Sequence, residues 1–287
     1  TMTINDEDQD FIKESIGLQL YLVQKKMEHL KLVEQSLEEM EQKMDNEEEI
    51  DWTQMMNLLH VTNLEKGLVE QYKNASNLDI RIGLHQKYSQ NPQPWFEWIY
   101  EQLNLKEKDE VLELGCGTGE LWKNKNLPKN VHVTLSDQSQ GMVKDARNYV
   151  GEGKGQISYQ MIDCRQIPKE DHSFDKVIAN HVLFYLDDRQ QVFNEIKRVL
   201  KQNGTFICST YGSSHMQEIT QLIKDFDERI TLSDHKLYNV FGLENGEEQL
   251  KKVFSQVKEI DYEDELLVDQ PEPLISYILS CHGNQHE

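Results

Sequence analysis

Val111-Leu112-Glu113-Leu114-Gly115-Cys116-Gly117-Thr118-Gly119-Glu120 is an apolar strand that ends in three glycines placed at every second position. Alternate glycines let the chain turn through positive φ and leave no Cβ atoms in the way, so backbone N–H groups can come close to a nucleotide-like ligand. An ordinary strand-to-helix turn rarely needs more than one glycine. About 20 residues further on, the next apolar run, Val131-His132-Val133-Thr134-Leu135-Ser136, ends in Asp137. A carboxylate at the tip of the second strand of a βαβ unit can accept both hydroxyls of a ribose. Dinucleotide binding calls for G-x-G-x-x-G, whereas the spacing here is G-x-G-x-G and Glu120 stands where the third dinucleotide glycine belongs. An acidic side chain there repels a pyrophosphate but not a neutral adenosine or a sulfonium.

These residues resemble the class I S-adenosylmethionine-dependent methyltransferases, over roughly residues 80 to 287. Four stretches in the family's order carry the resemblance: Glu113 to Gly119, Asp137 to Met142 with Ala146-Arg147, Met161 to Cys164, and Phe174 to His181 running into Phe184-Tyr185-Leu186. The resemblance implies that Gly115, Gly117 and Gly119 line the methionine moiety of S-adenosylmethionine and that Asp137 holds the ribose. It further implies that Met142 packs on the adenine, that Asp163 bonds the exocyclic amine, and that Asn180 and His181 face the cofactor from the end of the fourth strand. Glu113, Cys116, Gln138 and Cys164, beside these motif positions, complete the expected cofactor set. In many such enzymes a segment before the first strand folds over the cofactor, a role open to Tyr88 and Trp95.

The alternation of strands and helices from Glu110 onward is that of a mostly parallel α/β sheet, Rossmann-like, covered on both faces. Strands are expected at 110–114, 131–136, 156–162, 174–180 and 204–210. A helix is expected from Asp188 to Leu200, stopped at Asn203-Gly204. Further helices are read at 217–226 and near 247–254, then a hairpin of 257–262 with 265–268. A last short helix opens at Pro271 and closes the chain's antiparallel finish.

Upstream, apolar residues at Ile16, Leu20, Val23, Met27, Leu30, Val33, Leu37, Met40 and Met44 recur at heptad spacing. They point to a coiled coil over 11–45 that joins two subunits as a homodimer, with an intramolecular helix pair as the alternative that fits the same stripe. We expect a helical dimerisation region over 1–78, with a linker at 74–79, and a methyltransferase domain over 79–287. The long helix, the acidic break and Asp51-Trp52-Thr53-Gln54-Met55-Met56 are similar to the dimerisation and effector part of MerR-type transcription regulators. That resemblance implies an alternative function, a metabolite-sensing effector module whose DNA-binding domain is absent from this segment.

Acidic residues outnumber basic ones 51 to 30, a net charge of −21 that repels phosphate backbones and argues against direct nucleic-acid contact. The four cysteines include no C-x-x-C pair, which suits a reducing cytoplasmic compartment and gives no sign of a metal site. No uninterrupted apolar run reaches membrane-spanning length. The expected reaction is methyl transfer to a small-molecule acceptor, and His181 and Tyr185, at the end of strand four, are the candidate catalytic residues. Three roles stay open for His181: a cofactor-side hydrogen-bonding group, a general base, or part of the core. Tyr211 borders the same crevice, and His85 and His215 are read as exposed or pocket-lining.

Overall fold

Five strands, all parallel, form the sheet in the order β3-β2-β1-β4-β5, as seen in a computed structural model that describes residues 75–151, 155–233 and 236–281. The strands are β1 (Glu110–Leu114), β2 (His132–Asp137), β3 (Ile157–Met161), β4 (Phe174–Asn180) and β5 (Leu200–Ser209). The order reverses between β1 and β4, so the crevice above the carboxyl ends of β1, β2 and β4 is where such a sheet binds ligands. The coiled coil expected over 11–45, and the helical region up to residue 74, lie outside the described residues.

Coverage on both faces explains why β1 is buried at four successive positions, Val111 to Leu114, rather than alternately. On one face Leu112, Leu114, Val177 and Ala179 meet α4 (Arg189–Val199). That helix turns Val192, Phe193, Ile196 and Val199 inward at amphipathic spacing, and Asp188 caps it by accepting the Gln191 N–H at 3.0 Å. On the other face Val111, Val133 and Leu135 meet Ile99 of α2 (Trp95–Gln102), Ala146 of α3 (Gln140–Val150), and the 3-10 turn Glu120–Trp122. That single turn stands where a crossover helix usually follows the first strand. The sequence Asn124-Lys-Asn-Leu-Pro128 has neither helical periodicity nor a proline-free interior to build one.

Several expectations need correcting. The stretch 74–79 is not a linker: α1 runs Ala75–Tyr88, so the boundary drawn at 78/79 falls inside a helix. The helix expected to stop at Asn203-Gly204 ends at Val199, and β5 begins at once with Leu200 paired to Phe174. The hairpin of 257–262 with 265–268 does not form. Its backbone groups go to the loop after α1 instead: Leu267 N–H donates to Tyr88 O and Gln90 N–H to Glu265 O, each at 2.9 Å. The antiparallel finish is thereby reduced to one bridge, Ser89 with Leu266. The remaining helices are α5 (Gln217–Phe226), α6 (Leu237–Val240), α7 (Gly246–Lys251) and α8 (Pro271–Leu279), the last in contact with α1. None of the described helices is long and apolar enough to cross a membrane.

Candidate active site

All three glycines of the turn after β1 have positive φ: 71° at Gly115, 53° at Gly117 and 83° at Gly119. A Cβ on Gly115 would lie 2.5 Å from Val182 Cγ2, and one on Gly119 would lie 2.6 Å from Val150 Cγ2. Only glycine satisfies both the backbone and the packing here. Gly117 faces Leu78 of α1, whose Cδ2 would be 3.0 Å from an added Cβ. Leu78 of α1, upstream of Tyr88 and Trp95, thus covers the turn at Gly117.

Hydrogen bonds fix the turn against β2. Cys116 N–H donates to Ser136 O at 2.8 Å, and Gly117 N–H donates to Asp137 Oδ2 at 3.2 Å. Asp137 Oδ1 accepts the Ser139 N–H at 2.9 Å. The Gln138 N–H also acts on this carboxylate, and of its roughly four acceptor positions capacity remains for a ligand hydroxyl. Burial lifts its pKa above the ordinary value, while the backbone N–H groups of Ser139 and Gly117 pull it down. Thr118 Oγ1, inside the turn, is buried without a hydrogen-bond partner. A cradle that a Cβ would fill and an orphaned hydroxyl are what a ligand-binding turn shows in the absence of its ligand's atoms.

The rest of the expected cofactor set divides. Gln138 is exposed, and Met142 is buried at the start of α3, where its N–H is capped by Ser139 Oγ at 3.3 Å. Asp163 is exposed and makes a two-point pair with Arg165, with Nε to Oδ1 at 3.0 Å and Nη2 to Oδ2 at 2.9 Å. Cys164 packs against the core, and burial pushes its thiol up to about 12. Burial raises the Cys116 thiol as well. Glu113 is only 2% exposed and accepts the Trp122 Nε1–H at 2.6 Å. Burial pushes this carboxyl up to about 8. Its side chain fastens the 3-10 turn to the sheet.

At the end of β4, His181 adopts a left-handed backbone with φ of 55°. Its N–H donates to Ser209 Oγ at 3.0 Å, and that hydroxyl donates in turn to Asn180 Oδ1. The His181 ring lies 5.3 Å from Trp95, 6.1 Å from Phe184 and 6.3 Å from Tyr211. Burial, with His215 and His85 adding to it, pushes the imidazole down to about 3. Tyr185 packs edge-on against Phe184, with ring centres 4.6 Å apart, on the side of the α4 core. Tyr88 is buried at the end of α1, its hydroxyl without a partner among the described residues. His85 is half-buried and His215 exposed, their rings stack 5.8 Å apart, and desolvation lowers both, His215 to about 4.

Residues 112–208 match the methyltransferase domain family. The 3-2-1-4-5 parallel order agrees, and S-adenosylmethionine is the methyl donor that a class I methyltransferase domain implies. Among curated relatives, the chain is 29% identical over 119 residues to the ubiquinone/menaquinone biosynthesis C-methyltransferase UbiE of Desulfotalea psychrophila, covering 40% of this chain and 47% of that one. It is 32% identical over 166 residues to YqeM of Bacillus subtilis, covering 56% of this chain and 64% of that one. A solved S-adenosylmethionine-dependent methyltransferase of Mesorhizobium loti matches with 24% identity and a TM-score of 0.33, over 41% of this chain and 53% of that one. The chain thus spans less than two thirds of the length of these relatives.

Outside the matched residues lie others that the sequence does not single out. Ser209 bridges the two residues at the tip of β4. Tyr262 meets Trp95 edge-on with ring centres 5.0 Å apart, and its hydroxyl donates to Gln93 O at 2.6 Å. Tyr277 lies 6.4 Å from His85. No local motif marks these positions, and Tyr262 and Tyr277 come from the C-terminal part of the chain. Arg81 is different: it is a lone cation among Leu78, Ile80, Ile82 and Leu84, a signal that was available.

Proposed function

We propose that this chain transfers a methyl group from S-adenosylmethionine to a small-molecule acceptor. The observation that carries the reading is the pairing of the three-glycine turn with the Asp137 carboxylate across the ends of β1 and β2. When bound, the cofactor supplies a methyl group on a cationic sulfur, open to in-line attack by a nucleophile. Everything else is the work of the chain's own residues. Gly115, Gly117 and Gly119 would admit the methionine moiety against bare backbone, and Asp137 would hold the ribose hydroxyls. Met142 and Asp163 are assigned to the adenine side; for Asp163 this requires sharing its carboxylate with Arg165.

Asn180 would face the cofactor, and His181 and Tyr185 would border the acceptor. Held neutral with a pKa of about 3, His181 has little driving force to take a proton, so we assign it positioning and hydrogen bonding rather than general-base work. Trp95 and α1 would close over the pair of ligands and keep water out, which favours transfer by holding the reactants in register.

Calorimetry with S-adenosylmethionine, S-adenosylhomocysteine and NAD tests the reading. Wild type should bind the first two and not the third. Asp137→Ala removes hydrogen bonds to a charged acceptor, each worth about 1.5–3 kcal/mol, so affinity should fall at least tenfold. Equal affinity in the variant, or preference for the dinucleotide, would end the proposal.

A further inference from the structure

The glycine turn has a second side. A cavity of about 380 Å³ opens to solvent there, and among the described residues Asp79 of α1, Thr118 of the turn, and Asp145, Asn148 and Tyr149 of α3 line it. None of Gly115, Gly117, Asp137, Met142 or Asp163 does, so this is not the cradle assigned to the donor. Its volume falls within the range of small-molecule sites, roughly 300–1,000 Å³. The 3-10 turn that follows Gly119 has three residues against the eleven of α3, which leaves Asp145, Asn148 and Tyr149 exposed along that helix.

The wall of this cavity offers acceptors. Two of its five side chains are carboxylates, and a third contributes an amide carbonyl. Burial first, then the charges of Glu120 and Asp145, raise the Asp79 carboxyl above its ordinary value, with Lys123 acting weakly in the opposite sense. Thr118 is only 7% exposed, and its hydroxyl has no hydrogen-bond partner. A buried hydroxyl left unpaired carries a cost that a ligand atom can relieve. Tyr149 is already engaged: Lys123 Nζ stands 3.4 Å from its ring centre, and its hydroxyl donates to Glu120 Oε1.

These features separate three classes of cation. A quaternary ammonium has no donor and relies on aromatic faces, and the face of Tyr149 is taken. A divalent metal needs several converging ligands, and among the described residues no group of three or more His, Cys, Asp and Glu could hold one. A primary ammonium brings three donors and no acceptor, the complement of this wall. Two carboxylates call for two such groups. We infer that the cavity is a second ligand site, separate from the donor cradle, and that it takes a small alkyl diamine whose ammonium groups are held by Asp79 and Asp145.

Calorimetry at fixed ionic strength with 1,4-diaminobutane, its hexamethylated bis-quaternary analogue and magnesium chloride decides it. Diaminobutane should bind one molecule per chain, roughly tenfold tighter than either of the others. Asp79→Asn and Asp145→Asn should each weaken it roughly fivefold. Glu259→Gln, which removes an equal charge at an exposed position elsewhere, should leave it unchanged. The thermal midpoint of each variant reports folding, and the wild-type comparison stands without any variant. Saturating S-adenosylhomocysteine should leave the diaminobutane site open. Equal affinity for the three cations, or an equal loss in all three variants, means condensation on an acidic surface and overturns the inference. So does the absence of diaminobutane binding, or competition with S-adenosylhomocysteine, which would merge the cavity with the donor cradle. Failure of S-adenosylhomocysteine itself to bind falls on the methyltransferase reading and leaves the diamine titration standing.

Discussion

The two halves of the sheet's carboxyl edge are built by opposite means. Over β1 and β2 the site is backbone: three glycines, a few N–H groups and one carboxylate, all between residues 113 and 139. Over β4 and β5 it is side chains, with rings delivered by α1, α2, α8 and the ends of both strands. A backbone cradle binds whatever presents the same polar skeleton, so it suits a donor shared by many reactions. A chamber of side chains can be refitted one residue at a time, which suits an acceptor. The difference extends to protons. The donor half buries a carboxyl, Glu113, whose pKa is raised, while the acceptor half holds imidazoles whose pKa values are lowered.

Opposite shifts give opposite dependence of stability on pH, and this is the largest effect expected. Glu113 ionises near 4.5 when unfolded and near 8 in the fold, so between those values the folded state holds the extra proton. Its contribution is fully present below pH 4.5 and is lost as the pH rises through 8, a loss on the order of 4–5 kcal/mol at 1.36 kcal/mol per pKa unit. Glu113→Gln cannot ionise and can still accept the Trp122 indole N–H. Its stability relative to wild type should therefore climb steadily from pH 5 to pH 8 in urea denaturation. The histidines run the other way: the unfolded state takes up protons near 6.5, the fold only near 3 at His181 and 4 at His215. Stability held above pH 6.5 is lost as the pH falls toward 3, and His181→Asn, which tolerates the left-handed backbone, should blunt that loss. If both variants shift the curve on the same side of neutrality, the contrast between the halves is wrong.

A smaller effect tests whether the halves are joined. Gly115 belongs to the donor turn, yet the atom nearest an added Cβ is Val182 Cγ2, just beyond His181. Gly115→Ala should destabilise by about 2–4 kcal/mol, combining a left-handed alanine with an overpacked contact, and should reduce S-adenosylhomocysteine affinity. Val182→Ala in the same chain removes the clash but not the backbone strain, so it should restore part of the thermal midpoint. A strictly additive double variant would mean that the two halves do not touch through this pair.

The same contrast decides what could be read from the sequence. Glycine spacing, a carboxylate at a strand tip and a run of apolar residues are local signals, and β1 at 110–114 and β4 at 174–180 were legible to the residue. So was the N-terminal boundary of α8 at Pro271. Where tertiary contacts decide, the reading failed. Asn203-Gly204 looks like a helix stop, but Gly204 lies within β5, where an added Cβ would come 3.1 Å from Asp175 O, so that glycine permits close strand approach. The alternating pattern near 257–268 suggested a hairpin, yet Asn91 takes up that segment's groups, its N–H donating to Asp264 Oδ1 at 3.0 Å and its Nδ2 to Glu263 O at 2.8 Å. The ring chamber was half visible. His181 and Tyr211 follow strand ends, but nothing near His85, Tyr262 or Tyr277 announces that they meet there.

The smallest effect concerns Ser209, which does for the acceptor half what Gly117 and Ser139 do for Asp137. One hydroxyl accepts the His181 N–H and donates to Asn180 Oδ1, holding a histidine in a left-handed backbone that costs roughly 1–2 kcal/mol to adopt. Ser209→Ala removes both bonds for a loss of about 0.5–1.5 kcal/mol each, offset where water reaches the freed groups. The thermal midpoint should drop by only a few degrees, and S-adenosylhomocysteine affinity should stay within threefold because the donor cradle is untouched. The acceptor half should respond more: tryptophan fluorescence should change as the His181 ring, 5.3 Å from Trp95, loses its fixed position, and Ser209→Thr, which keeps the hydroxyl, should recover it. A Ser209→Ala protein that loses S-adenosylhomocysteine and keeps the wild-type tryptophan fluorescence would place this serine with the donor and erase the division between a backbone half and a side-chain half.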